Sequence, residues 1–228
     1  MSIRKLEPKK IETIFASKLE YVIHFPLHGR QIIETACRDA ENNGMYSIVV
    51  NPSYASLATK ILGKESRTRI CALIGFPFGL QTIATKVFEI VDMSRHGYVD
   101  EVDVALNLAY IVNHRWRKVE EEMSLITHVM QDVQINMAKV FIETGQLSPA
   151  EIGVLCSIAN DTGIKAVKTT SGFLGAEEDV KAIKFMKKFL NPEIQIIASG
   201  FIKNKKIAVQ LLGEGVNRIA TNDPFKFI

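Results

Sequence analysis

The sequence predicts a parallel (β/α)8 barrel, on three observations. Strand-like and helix-like segments alternate eight times along the chain. The strand segments are apolar throughout rather than alternating with polar residues, as in parallel sheets covered by helices. No linker-like or low-complexity stretch divides the 228 residues, so one barrel domain over 1–228 is expected. A doubly wound open sheet is the alternative.

The elements follow in order. "PKKIETIFASKL" places Ile11, Ile14 and Phe15 on one face and reads as an extra N-terminal helix over the barrel's N-terminal mouth. "LEYVIHF" is the first strand, and a helix runs through "GRQIIETACRDAENNG". "MYSIVVN" is apolar and β-branched, "SYASLATKIL" is helical, and "RICALIGF" is the third strand. "TIATKVFEIVDMSRHG" is an amphipathic helix with a glycine at its C-cap position. The strand "VDEVDVALN" leads to a long helix, "WRKVEEEMSLITHVMQDV". After the strand "NMAKVFIET" comes "SPAEIGVLCSIANDTG", a helix with Ser148 as N-cap, Pro149 in the first turn and Glu151 as the N3 partner of a capping box. "IKAVKTTS", "EIQIIAS" and "VNRIAT" are the last three strands, separated by the helices "AEEDVKAIKFMKKFL" and "KNKKIAVQLLGEG". Only "NDPFKFI" remains, too short for a typical helix of about 11 residues. The eighth helix is therefore expected to be reduced or missing. A homodimer, or another partner docked over the apolar surface left bare, is expected in its place.

Apolar residues make up 47% of the chain and charged residues 23%, a globular composition. The net charge of +3 comes with scattered lysines, which argues against nucleic-acid and membrane partners. Cys37, Cys71 and Cys156 are an odd, widely spaced set with no CxxC pair, as in a reducing compartment. With neither a signal-like start nor an apolar run of membrane length, a cytoplasmic protein is expected. The histidines at 24, 28, 96, 114 and 128 form no HxH or HExxH pattern. No metal is expected, and they read as surface or packing residues.

Residues two apart in a strand share a face. In strand four, Val102, Val104 and Leu106 should meet helices, which turns Asp103, Ala105 and Asn107 toward the barrel axis. In strand five, Ala138, Val140 and Ile142 point out, and Lys139, Phe141 and Glu143 point in. In strand six, Ala166, Lys168 and Thr170 share a face. Asp103, Lys139 and Lys168 thus converge from three adjacent strands. The bland reading is a buried ion-pair network that holds the barrel together. The sharper one is a Schiff-base enzyme. A lysine amine attacks a carbonyl only when neutral, and at an ordinary pKa of about 10.4 that is roughly one molecule in 2,500 at pH 7. Burial and a neighbouring cation lower that pKa, and a carboxylate then shuttles the proton.

"YSIVVNPSY", "ALIGFPFG", "DEVDVALN", "AKVFIETGQLS" and "VKTTSGF" stand in this order between about residues 30 and 222. On these five strings the chain resembles the deoxyribose-phosphate aldolases, class I aldolases on a (β/α)8 barrel. The resemblance implies reversible cleavage of 2-deoxyribose 5-phosphate to glyceraldehyde 3-phosphate and acetaldehyde, with no cofactor and a small sugar phosphate as partner. It implies that Lys168 is the Schiff-base lysine and Asp103 the proton-relay carboxylate, with Lys139, Asn107 and Thr170 in support. Ser171, Gly172, Gly200, Lys203 and Thr221 fall at the phosphate end.

Three departures from the family pattern stand out. A second lysine, in strand seven, is replaced by Ile197. The second glycine of a pair is replaced by Phe201, and Asp223 follows strand eight where the family has a Ser- or Thr-rich turn. The family's first-strand Asp-His-Thr is also not recognisable, leaving Glu20 as the nearest acidic residue. Two other readings therefore stand beside an active aldolase. One is a related barrel that uses Lys168 on another small carbonyl compound. The other is a catalytically impaired barrel that binds sugar phosphates or serves as a scaffold.

Overall fold

The computed structural model describes residues 15–95, 99–175 and 180–228. Its strands are β1 (Leu19–Ile23), β2 (Ser47–Val50), β3 (Arg69–Ile74), β4 (Glu101–Ala105), β5 (Met137–Phe141), β6 (Ala166–Lys168), β7 (Gln195–Ser199) and β8 (Arg218–Thr221). They pair in parallel in chain order and close into a barrel. The closing seam sets Leu19 against Ile219 and Tyr21 against Thr221. This is the expected (β/α)8 barrel, and the open sheet is excluded.

The described helices are α1 (Arg30–Asn42), α2 (Pro52–Leu62), α3 (Ile83–Arg95), α4 (Leu108–Val112), α5 (Trp116–Asp132), α6 (Pro149–Thr162), α7 (Val180–Phe189) and α8 (Lys205–Gly213). Helix α6 begins as its sequence dictates. Ser148 accepts from the Glu151 amide, the Glu151 carboxylate accepts from the Ser148 amide at 2.8 Å, and Gly163 closes the helix with φ +70°. Helix α4 was not read from the sequence. Its apolar "LAYIV" directly continues the apolar run of β4, so periodicity alone does not separate the two.

The strand parity holds. Val102, Val104, Leu106, Ala138, Val140 and Ile142 join the outer core between strands and helices. Two small apolar clusters lie within the barrel. One is Val49, Cys71, Leu73, Ala105 and Phe141, and the other is Ala166, Ile197 and Ala220. The turn after β3, "GFPFG", is fixed by Gly79. Its φ is +62°, and a Cβ there would lie 2.2 Å from the Leu106 carbonyl oxygen, so only glycine fits.

After β8 the chain makes one 3-10 turn, Pro224–Lys226, in place of an eighth helix, as expected. Phe227 is 1% exposed and packs edge-on against Phe15 at 6.3 Å, while Phe225 meets Tyr21 at 6.0 Å. The C-terminal residues thus cover part of the apolar surface on which a homodimer or docked partner was expected. The proposed N-terminal helix lies, up to residue 14, outside the described residues, as does the C-cap glycine Gly97. No helix among the described residues is long and apolar enough to cross a membrane.

Candidate active site

The barrel interior carries three carboxylates and three cations, all but unexposed: Glu20, Glu101 and Asp103 with Lys139, Lys168 and Arg218. Buried charges persist only when paired, and here the two sets balance. Asp103 and Lys139 are register partners on β4 and β5. Lys168, at the end of β6, sits beside Phe141 of β5 and Ile197 of β7. Its Nζ donates to Asp103 Oδ2 at 2.6 Å and to Glu20 Oε2 at 2.8 Å. Lys139 Nζ is held by three carboxylates, at 2.7 Å from Glu101, 3.0 Å from Asp103 and 3.1 Å from Glu20. Arg218 lies 3.0 Å from Glu20 and 2.9 Å from Glu101, and its other nitrogen donates to Gln195 at 3.0 Å. The Tyr46 hydroxyl donates to Glu101 at 2.8 Å, and its ring carries the Arg218 guanidinium at 4.2 Å.

The electrostatics follow from this packing. Burial alone would raise the Glu20 carboxyl, but Lys139, Lys168 and Arg218 outweigh it and hold it below the usual carboxylate range. Glu101 is likewise lowered, with burial opposed by Lys139 and Arg218. Burial pulls the Lys168 ammonium down, Asp103 and Glu20 pull it up, and Lys139 opposes them; the balance lies above an ordinary lysine. Lys168 therefore rests as an ammonium.

Lys168 forms the floor of a cavity of about 370 Å³. The cavity opens past the C-terminal ends of β6, β7 and β8, the end of a barrel where active sites lie. Thr170, Ser171, Gly172, Gly200 and Thr221 also line it. The loop after β6 is pinned from below by Glu143, which accepts from the Ser171 amide at 2.7 Å and the Thr170 hydroxyl at 3.0 Å. Burial raises the Glu143 carboxyl, against those hydrogen bonds. Gly200 has φ +102°, and a Cβ there would lie 2.5 Å from Thr170 Cγ2, so the β6 and β7 loops meet at a glycine.

Two expected site residues lie elsewhere. Asn107 caps α4, accepting from the Ala109 amide at 3.0 Å, while its own amide donates to Glu122 at 3.0 Å. Glu122 pairs with the buried Lys86, which donates to the Ala105 carbonyl at 2.7 Å. Asn107 is thus part of the frame that fixes the end of β4. Lys203 is exposed on the loop after β7 and does not line the cavity.

Three participants were not read from the sequence as site residues. Glu101 and Arg218 are each the first residue of a strand, where a charge reads as a solvated end. Parity with Asp103, two residues on, is the signal that places Glu101 inside. His24 was read as a surface or packing residue, yet it lines the cavity, and its Nδ1 is buried with no hydrogen-bond partner among the described residues.

No protein-family model matches the chain. It is 33% identical over 190 residues to deoxyribose-phosphate aldolase 1 of Bacillus licheniformis, covering 83% of each protein. To the deoxyribose-phosphate aldolase of Caldanaerobacter subterraneus subsp. tengcongensis it is 29% identical over 222 residues, 96% of this chain and 95% of that one. The solved structure of QR15, an aldolase, superposes with a TM-score of 0.84 at 26% identity, covering 93% of each chain. The tetrameric deoxyribose phosphate aldolase of Aeropyrum pernix superposes at 0.83, over 95% of this chain and 90% of that one; at 22% identity this bears on the fold alone.

Proposed function

The chain belongs to the deoxyribose-phosphate aldolase family, and we propose that it is a class I aldolase acting through a Schiff base on Lys168, with 2-deoxyribose 5-phosphate as the family's reference substrate. The observation that carries this is the placement of Lys168 Nζ on the floor of an open cavity, hydrogen-bonded to two carboxylates at 2.6 and 2.8 Å.

The resting ammonium must first lose a proton, and Asp103 is the nearest acceptor. The amine then adds to the substrate's C1 carbonyl carbon. Asp103 returns the proton to the carbinolamine oxygen, which leaves as water, and an iminium forms. A carboxylate removes the proton of the C3 hydroxyl, the C2–C3 bond breaks, and its electron pair runs into the iminium. The products are an aldehyde and an enamine. Protonation of the enamine at C2 restores an iminium, which water hydrolyses to acetaldehyde and free lysine. Glu20, held ionised by its cations, is the second proton site within reach of Nζ. Lys139 has no path to the cavity and acts as a fixed positive charge that steadies the carboxylates.

Borohydride reduction in the presence of acetaldehyde, followed by peptide mass mapping, tests this reading. One adduct on Lys168 is expected, and Lys168→Ala should abolish it. Asp103→Asn should slow turnover more than adduct formation, because the relay also serves the later proton transfers. Absence of a selective adduct, under conditions that label another class I aldolase, would refute the reading. The chain would then be a binding or scaffold protein on an aldolase barrel.

A further inference from the structure

The cavity has Lys168 at its floor and a ring of aromatic side chains at its mouth. Six rings surround it: His24, Phe25, Phe76, Phe141, Phe173 and Phe201. Phe76 is their hub, 5.8 Å from His24, 5.5 Å from Phe141 and 5.3 Å from Phe173. Phe25, Phe173 and Phe201 remain 51%, 41% and 57% exposed at the rim. Apolar rings left in water around a concave site gain by covering with an apolar ligand.

The cavity holds few groups for a phosphate: its one lysine is taken and most of its loop amides are spent, although those of Gly200 and Asn222 have no hydrogen-bond partner among the described residues. Among the described residues, Lys168 is the one lysine or arginine that lines the cavity, and two carboxylates already hold it. Phosphate sites in barrels use loop amides with free N–H groups. Here the amides of the β6 loop are taken up within that loop or by its neighbours. Thr170 donates to Ser199 Oγ, Ser171 to Glu143, Gly172 to Thr170 Oγ1 and Phe173 to Ser171 Oγ. On the other loops, Ile202 donates to the Gly200 carbonyl and Asp223 to Thr221 Oγ1. The turn after β8 is three residues long, so it offers no helix dipole, and its one cation, Lys226, is paired with Asp223 at 2.8 Å. Burial, His28 and Lys168 all hold the His24 imidazole below the usual range, which leaves it neutral at pH 7.

We propose that the second aldehyde handled by this site, the one joined to or released from acetaldehyde, is uncharged and apolar, an alkyl or aryl aldehyde, in preference to a phosphorylated one. The proposal rests on the Schiff-base reading of Lys168. In the synthetic direction the acetaldehyde enamine on Lys168 attacks the carbonyl carbon of this acceptor. The new C–C bond takes the enamine electron pair, the acceptor oxygen takes a proton from a carboxylic acid in the site, and water then releases a 3-hydroxy aldehyde. The acceptor's tail lies along Phe173 and Phe201. Phe201, which follows Gly200, takes the place where close backbone approach would otherwise be open to an anion.

The test is a comparison of kcat/KM at saturating acetaldehyde for glyceraldehyde 3-phosphate, glyceraldehyde, a straight-chain series from propanal to heptanal, and phenylacetaldehyde. The alkyl series should rise about fourfold per added methylene until the cavity is full, the ratio expected for burying one CH2. Glyceraldehyde 3-phosphate should do no better than glyceraldehyde, and raising the salt should leave their ratio unchanged. Phe201→Leu should keep the rising series, and Phe201→Gly should flatten it. A tenfold or greater preference for glyceraldehyde 3-phosphate over glyceraldehyde, weakened by salt, would overturn the proposal, as would a flat alkyl series in the parent chain. The acetaldehyde–borohydride adduct, formed with no acceptor present, separates this from the underlying reading. An adduct on Lys168 together with a phosphate preference sinks the acceptor proposal alone, whereas no adduct sinks both.

Discussion

Replacing Ile197 by lysine should move the pH dependence of the enzyme toward neutrality. Ile197 is fully buried and is the register partner of Lys168 on the neighbouring strand. Parallel neighbours run about 5 Å apart, so an ammonium on residue 197 would lie about that far from Lys168 Nζ. Two like charges at about 5 Å, with an effective dielectric constant of about 20, repel by about 3 kcal/mol. That lowers the Lys168 pKa by about two units. As long as deprotonation limits the rate, adduct formation at pH 7 should rise about a hundredfold. The new charge enters a cluster of Ala166, Ala220, Val22 and Met137, with no carboxylate of its own, and should cost several kcal/mol of stability. Urea denaturation therefore has to accompany the kinetics, with Ile197→Met as an uncharged control whose pH profile should match the parent. The assay is the rate of borohydride-trapped adduct between pH 6 and pH 10. A folded Ile197→Lys protein whose profile does not move would refute the reasoning, because it would show that the Lys168 charge is not what limits the rate.

Lys139→Met removes the cation shared by Glu20, Glu101 and Asp103; it should cost about 3–5 kcal/mol in urea denaturation and shift the alkaline limb of the adduct profile upward, since Lys139 opposes the Lys168 ammonium. The folded-state pKa values of Glu20 and Glu101 are depressed, so their contribution to stability is fully present above the ordinary carboxylate range, near pH 4, and is lost as pH falls below it toward their lowered values; thermal midpoints at successive pH values from 7 to 2 should drop steeply below about 4, and less steeply in Glu101→Gln. Gly79→Ala forces a left-handed φ on alanine and sets its Cβ against the Leu106 carbonyl; it should cost about 3 kcal/mol, measured by denaturation, and lower the yield of folded protein.

The barrel was legible because its signals are local and repeated. Apolar strand segments, a capping box at Ser148 and a glycine at 163 each state their own element. The inward set on β4, β5 and β6 followed from parity once the helix-facing residues were known. What escaped was decided between elements. Glu101 and Arg218 are strand-end charges until the barrel closes and brings β8 beside β1 and β4 into reach of both. Asn107 satisfied the inward parity, but it lies beyond the last residue of β4, where cap chemistry overrides the alternation. The aromatic rim was invisible because Phe25, Phe76, Phe173 and Phe201 come from the loops after four different strands, and no spacing in the sequence relates them.

The rim and the floor bear on one another. Moving a proton from Lys168 to Asp103 converts two buried charges into two neutral groups. In water that exchange is unfavourable by the full gap between a lysine and a carboxylic acid. Away from water the charged pair loses its solvation, and the gap narrows. In this chain the network around Lys168 keeps it protonated, and residue 197 supplies no second ammonium to push the proton off. A ligand that fills the cavity with apolar surface, and excludes water from above the Lys168–Asp103 pair, favours the neutral form at the moment the carbonyl arrives. A charged phosphate ester would bring water and a further anion toward the same pair, and the anion would strengthen the ammonium's hold on its proton. The aromatic mouth and the missing cation are thus linked in the cleavage direction: there the apolar tail of the 3-hydroxy aldehyde would supply by desolvation part of what a lysine at 197 would supply by repulsion.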